Sequence, residues 1–135
     1  MTSENSCAYG FERHLQHATF EGALEKVAAA LKQEGFGILT QIDVKDTLKK
    51  KLDLDFRRYV ILGACNPSLA HKALTAEPQI GLLLPCNVVV RRDDGTTLVQ
   101  ALDPGTMVTL TGLAALEPVA ADATRRLDAA LASLT

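Results

Sequence analysis

The dipeptide Asp94-Gly95 stands between two runs of β-forming residues, "CNVVVRR" and "TTLVQAL", and it constrains the fold more than any other feature. Asp-Gly favours the tight turn of a β-hairpin, so the two runs are predicted to pair as antiparallel strands. A doubly wound α/β fold requires strands and helices to alternate regularly, and a hairpin interrupts that alternation. The sequence therefore predicts an α+β domain of order β-α-β(n)-α. Its helices would pack on one face of a curved, mostly antiparallel sheet.

Periodic apolar residues locate the other elements. One helix is predicted to begin at Phe20, after the N-cap Thr19, and to end at Gly35. Further helices are predicted to begin at Pro67 and at Pro118. Strands are predicted over residues 9–16, 36–44, 56–65 and 80–90. Pro85 interrupts the last of these and suggests a sheet edge or a bulge.

The segment between the predicted strands 36–44 and 56–65 carries two more specific expectations. Simple alternation places one face of the strand at Phe36, Ile38, Thr40, Ile42 and Val44. A short helix should follow it and turn Val44, Leu48 and Leu52 inward.

Composition bounds the domain organisation and the classes of partner. At 135 residues, 47% of them hydrophobic, the chain suits one domain over 9–135, preceded by a flexible N-terminus at 1–8. A net charge of −2 gives no general attraction for nucleic acid. The apolar runs are far shorter than a membrane span, and the first residues lack the features of a signal peptide. We therefore expect a soluble, cytoplasmic protein with no nucleic-acid or membrane partner.

Two Cys-Asn dipeptides mark the most plausible place for chemistry. Cys65 stands directly before Asn66 and Pro67, which suit the N-cap and first residue of a helix. The helix dipole at that point favours a thiolate on Cys65. Cys86 follows Pro85 and precedes Asn87 in apolar surroundings that favour a neutral thiol. Either an antiparallel or a parallel arrangement of the two strands would allow the thiols to meet, and neither requires it.

Three short segments carry a resemblance to a known family: Gly35-Phe36-Gly37, Gly63-Ala64-Cys65-Asn66-Pro67 and Leu84-Pro85-Cys86-Asn87. With these segments the chain, over roughly residues 9–133, resembles domain-of-unknown-function family 302. The resemblance implies a TATA-binding-protein-like α+β fold and a homodimer. It implies no catalytic residues, because the family has no established activity, and a shared fold does not imply DNA binding.

Three interpretations of the cysteines follow. In the first, they are buried core residues, since cysteine is often buried. Alternatively they bind a small ligand or a metal such as zinc, iron or haem, with His71 or a dimer partner supplying further ligands. In the third interpretation Cys65 is a redox or nucleophilic thiol with Cys86 as its partner.

We take a ligand-binding or metal-binding module as the working hypothesis. Its candidate ligands are Cys65, Cys86 and His71, supported by the neighbouring residues Asn66, Pro67, Pro85 and Asn87. The alternatives are a thiol-dependent redox protein and a structural or protein-interaction domain that uses the open face of the sheet. Whether the chain is an enzyme stays open at this point.

Overall fold

The hairpin at Asp94-Gly95 lies inside a five-stranded antiparallel sheet. The computed structural model describes residues 7–16 and 19–135. The strands are β1 (Gly10–Leu15), β2 (Gly37–Asp43), β3 (Tyr59–Cys65), β4 (Cys86–Asp93) and β5 (Thr96–Leu102). Their order across the sheet is β1-β5-β4-β3-β2, and each neighbouring pair runs antiparallel. The predicted α+β class is confirmed.

In the described part of the chain, five helices and two 3₁₀ segments accompany the sheet. The helices are α1 (Phe20–Gln33), α2 (Val44–Leu52), α3 (Pro67–Ala76), α4 (Gly105–Thr111) and α5 (Glu117–Ala132). The 3₁₀ segments are Pro78–Leu83 and Ala114–Leu116. Within the described ranges, no helix is both long and apolar enough to cross a bilayer.

The turn between β4 and β5 has the backbone that the dipeptide predicts. Asp93 pairs with Thr96, which leaves Asp94 and Gly95 as a two-residue loop. Both have positive φ, 46° and 86°. A type I′ turn requires positive φ at both central positions, and its twist matches that of the paired strands. The predicted hairpin is confirmed.

α1 and α5 cover one face of the sheet and enclose the main core. Thr19 caps α1, because its Oγ1 accepts a hydrogen bond from the Gly22 N–H at 3.0 Å. The chain leaves α1 through Gly35, whose φ of 86° suits glycine at a helix end. The sheet contributes the buried side chains Val60, Leu62, Val88, Val90 and Val99 to this core. The helices contribute Ala23, Val27, Leu31, Leu127, Ala130 and Leu131.

A second, smaller core lies beyond the end of the sheet where β3 stops and β4 begins. It joins α3, α4, α5 and both 3₁₀ segments through the buried residues Leu69, Ala73, Ile80, Met107, Leu116, Val119, Ala120 and Ala123. Three helices and the end of two strands therefore meet in one region, and the candidate site lies there.

Two expectations for residues 80–90 were wrong. The run from Ile80 to Leu83 belongs to a 3₁₀ segment, which Pro78 opens and the Glu77 carboxylate caps through the Gln79 N–H at 2.8 Å. Ile80 is buried but Leu82 is 88% exposed, so the run follows a turn of helix. Pro85 lies before β4, after a cis peptide bond from Leu84, and marks neither an edge nor a bulge. β4 begins at Cys86 in the middle of the sheet, so the missing N–H of Pro85 falls outside the ladder.

The predicted single face of β2 was also wrong, because a bulge changes the alternation. Ile38 pairs with Ala64, but Thr40 pairs with Gly63, so Leu39 is one residue more than the partner strand offers. Ile38 consequently faces the core with Ala64, while Thr40 turns to the open face. Leu39 itself is 68% exposed.

α2 does not bury the side chains that were expected to turn inward. Val44 and Leu48 are half-buried and Leu52 is 61% exposed. The physical reason is position: β2 is an edge strand, and α2 follows it directly, away from both cores. The flexible terminus expected at residues 1–8 lies outside the described residues, apart from Cys7 and Ala8.

Candidate functional site

The strand register brings the two Cys-Asn segments together. β3 and β4 are antiparallel neighbours, and Cys86, the first residue of β4, pairs with Ala64. Cys65, the last residue of β3, lies one position further along. The end of one strand therefore lies beside the beginning of the other, which decides the question that the sequence left open.

Asn66 fixes the beginning of α3 and attaches it to α1. Its Oδ1 accepts a hydrogen bond from the Leu69 N–H at 3.2 Å, which is the predicted N-cap. Its Nδ2 donates to the Glu34 carbonyl oxygen at 3.5 Å, at the end of α1. Gly35 lies against the same side chain, since a Cβ there would stand 2.9 Å from Asn66 Nδ2. Asn66 is only 8% exposed, so this junction is a buried polar contact.

A cavity of about 330 Å³ opens beside this junction, at the end of the sheet. Its walls are apolar and come from four helices or helical segments and three strands. Representative lining residues are Leu69, Ala73, Leu84, Met107, Val119 and Ala123. Cys65, Asn66 and Cys86 supply its polar side-chain groups. The exposed side chains of Leu39 and Leu74 also border it, so it is open to solvent.

The three sequence segments that carry the family resemblance converge on this cavity. Phe36 lies on its wall between Gly35 and Gly37. The segments around Cys65 and Cys86 supply both thiols, and Pro85 lines it between Leu84 and Cys86. Gly63 is required here because a Cβ would overlap Thr40 Oγ1 and stand 2.9 Å from Pro85 Cγ. The motifs are therefore parts of one site.

A family model, "Domain of unknown function DUF302", matches residues 11–134. The chain belongs to the DUF302 family. A crystal structure of an uncharacterised conserved DUF302 protein from Bacillus stearothermophilus is similar to this chain, at 35% identity and a TM-score of 0.86. The alignment covers 93% of this chain and 98% of that one. No curated protein matches the chain. These comparisons establish the family and the fold, and they assign no activity to it.

The thiols of this DUF302 chain differ in their surroundings. All three cysteines are free, and Cys65 and Cys86 are both half-buried at the cavity. Burial, and secondarily the nearby charge of Cys65, raises the pKa of the Cys86 thiol. Cys86 is therefore neutral at neutral pH, as the sequence suggested.

The remaining predicted residues divide between the cavity and other surfaces. His71 is exposed on α3 and lies outside the cavity lining. Asn87 is exposed and borders a different groove, on the open face of the sheet, with Tyr59 and Arg91. Pro67 is exposed as the first residue of α3. Among the described residues, no group of three or more His, Cys, Asp or Glu side chains is arranged to hold a metal.

Several residues that line the DUF302 cavity were not identified from the sequence. Phe36 could have been, because it lies in one of the segments that carried the resemblance. Met107, Val119 and Ala123 could not, since they come from α4 and α5 and carry only the ordinary pattern of buried helical residues.

Proposed function

We propose that this DUF302 protein binds a small, mainly apolar organic molecule in the cavity beside Cys65 and Cys86. The observation that supports it is the cavity itself, about 330 Å³ in volume, where all three resemblance segments meet. Small-molecule sites are typically apolar clefts of about 300–1,000 Å³ with a few polar groups that fix orientation. Two thiols and one amide on an otherwise apolar wall fit that description.

The buried-core interpretation of the cysteines accounts for less. Core side chains interdigitate and are packed against other side chains. Cys65 and Cys86 are half-buried and border open space instead of filling it. A purely structural role would therefore leave the cavity without a reason.

A soft metal ion is the second candidate, favoured by the sulfur atoms on the cavity wall. Cys65, Cys86 and Met107 all line it, and thiolate and thioether sulfur favour ions such as Cu(I). His71 lies elsewhere, so the described lining supplies no imidazole for zinc or haem iron. The redox alternative, in which Cys65 and Cys86 form a disulfide, uses the same two thiols of the cavity lining.

We also propose a homodimer in the cytoplasm. The edge strand β2 and the segment that follows α2 expose Leu39, Ile42, Leu54 and Phe56. An unpaired edge with exposed apolar side chains favours association with another chain. For the compartment, the free thiols suit a reducing environment such as the cytoplasm.

Sedimentation equilibrium of the wild type and of Ile42→Lys tests the dimer interface, with Leu82→Lys as a control on an exposed residue elsewhere. A monomeric wild type would refute it.

The decisive experiment on ligand binding is an NMR titration of the reduced protein with a panel of small apolar molecules that includes cyclohexanone. We expect saturable shifts at the backbone amides of cavity residues. Ala70→Phe should abolish them, because Ala70 lines the cavity. Ala76→Phe is the matched control, since Ala76 is exposed on the same helix. Shifts absent for every member of the panel would refute the proposal, and stoichiometric copper in anaerobically purified protein would favour the metal instead.

A further inference from the structure

We propose that the cavity captures small α,β-unsaturated carbonyl compounds, with Cys65 Sγ adding to the ligand's β-carbon and the Asn66 amide binding its carbonyl oxygen. This inference rests on the proposed function and specifies the class of its ligand. It describes a covalent step in addition to binding.

The composition of the cavity wall disfavours anionic ligands and base-catalysed chemistry. No Asp, Glu, Lys, Arg or His lies among its lining residues, all of which belong to the described part of the chain. A charged ligand such as a phosphate would consequently lose its hydration without a counter-charge. The lining also lacks a carboxylate or imidazole that could act as a general base. What the wall offers is apolar surface and two thiols, which suit an apolar molecule with a soft electrophilic carbon.

Cys65 is placed to be the nucleophile. It precedes the N-cap of α3, a helix of ten residues, where the amides of the first turn and the dipole favour negative charge. Cys86 lies beside it with a thiol that burial keeps neutral. The two thiols therefore have different roles: Cys65 supplies the attacking sulfur at the beginning of α3, and Cys86 stays at the cavity wall.

Asn66 has a hydrogen-bond donor to spare. Its Oδ1 is taken by the Leu69 N–H, and one N–H of its amide points to the Glu34 carbonyl. An amide nitrogen carries two N–H groups. Within the described residues the second one has no hydrogen-bond partner, although the side chain is only 8% exposed and lines the cavity. A buried donor without a partner is costly, and a ligand carbonyl would satisfy it.

The step balances without an oxidant or a reductant. Cys65 releases its proton to solvent, and the sulfur electron pair forms a carbon–sulfur bond at the β-carbon. The electron pair of the carbon–carbon double bond moves to the α-carbon and the carbonyl oxygen, forming an enolate that the Asn66 N–H stabilises. A proton from solvent is then added to the α-carbon. The net change is addition of one S–H across one double bond, giving a thioether on Cys65.

The test is the reaction of the reduced, full-length protein with 2-cyclohexenone, followed by intact mass spectrometry. We expect one adduct per chain, mapped by peptide analysis to Cys65. Its rate should saturate with 2-cyclohexenone concentration, because binding precedes addition, and it should exceed the rate for glutathione at the same thiol concentration. Cyclohexanone, which lacks the double bond, should slow the reaction competitively and form no adduct. Cys65→Ser should lose the adduct, and Cys7→Ser should keep it, since Cys7 lies outside the cavity.

The outcomes separate the covalent step from binding. Cyclohexanone-induced shifts without a saturable adduct would leave the proposed function intact and refute the covalent inference. Labelling of Cys86 or Cys7 in place of Cys65, or a rate proportional to concentration and equal to that of glutathione, would refute it as well. Absence of both shifts and adduct would refute both proposals.

A second variant tests Asn66 as the hydrogen-bond donor to the enolate oxygen. Asn66→Ser keeps an oxygen that can cap α3 but removes the amide donor. We expect the limiting rate of addition to fall by a factor of about 10²–10³, as when a single oxyanion donor is lost. The unfolding curve of the variant shows whether α3 is intact. An unchanged limiting rate in a folded variant would remove Asn66 from the mechanism.

Discussion

Replacing Gly63 by alanine should destabilise the protein, although alanine usually suits a strand better than glycine. Gly63 lies in β3 opposite Thr40. An added Cβ would overlap Thr40 Oγ1 and stand 2.9 Å from Pro85 Cγ. Neither neighbour moves easily, because Thr40 is β-branched and Pro85 is a ring. The extra methyl group therefore forces a shift at the strand ends that carry the cavity.

Gly37→Ala provides the reference for the magnitude. Gly37 also lies in a strand, β2, and a Cβ there would meet no atom within 4 Å. Both substitutions reduce the conformational entropy of the unfolded chain, which by itself stabilises the folded protein by about 0.4–1 kcal/mol. Only Gly63→Ala adds overpacking, which typically costs about 1–3 kcal/mol. The free energy of unfolding of Gly63→Ala should accordingly lie about 1–3 kcal/mol below that of Gly37→Ala.

Urea unfolding followed by circular dichroism measures this difference, provided that both variants keep the wild-type slope. Adding Thr40→Ala to Gly63→Ala should restore part of the loss, because it removes the first of the two close atoms. The restoration should be incomplete, since Pro85 remains. Equal stabilities for the Gly63 and Gly37 variants would refute this account of the strand packing.

Three further predictions concern the core, the cap and pH. Leu127→Ala removes a side chain with 0% exposure and should lower the free energy of unfolding by about 2–5 kcal/mol in the same urea assay. Leu82 is 88% exposed, so Leu82→Ala should change it by less than about 0.5 kcal/mol. Asn66→Ala removes the α3 cap and should cost about 0.5–2 kcal/mol; thermal unfolding that matches the wild type would contradict it. Burial raises the pKa of the Cys86 thiol, so the folded state favours the neutral thiol. The contribution of this thiol to the free energy of unfolding is complete below the ordinary thiol value of 9.0 and is lost as the pH rises through the raised value. The alkaline decline in stability should therefore be shallower in Cys86→Ala, and identical declines would contradict this origin.

Local signals were enough for most of the elements. The turn at Asp94-Gly95, the cap at Thr19 and the Asn66-Pro67 helix start each depend on the backbone preferences of a few neighbouring residues, and all three are present. The errors came where neighbours in space overrode the local pattern. A bulge at Leu39 inverted the face of Thr40 and Ile42, since an extra residue in one strand shifts all that follow it.

The exposure of α2 has a similar explanation. α2 has an apolar stripe that would suit a buried helix, but it follows a strand that has only one neighbour in the sheet. Burial depends on which elements lie nearby, and no spacing within α2 encodes that. The apolar run from Ile80 to Leu83 was misassigned for the same reason, because a short run fits a strand and a helical turn equally well.

The sequence by itself determined the α+β class, the hairpin, the helix starts and the two segments in which chemistry was sought. These depend on residues close together in the chain. Only the tertiary structure decided that Cys65 and Cys86 lie together, that His71 lies apart from them, and that Phe36, Met107, Val119 and Ala123 close one cavity around them. Strand order and helix packing set those distances, because they join residues that the chain separates by up to 87 positions, from Phe36 to Ala123.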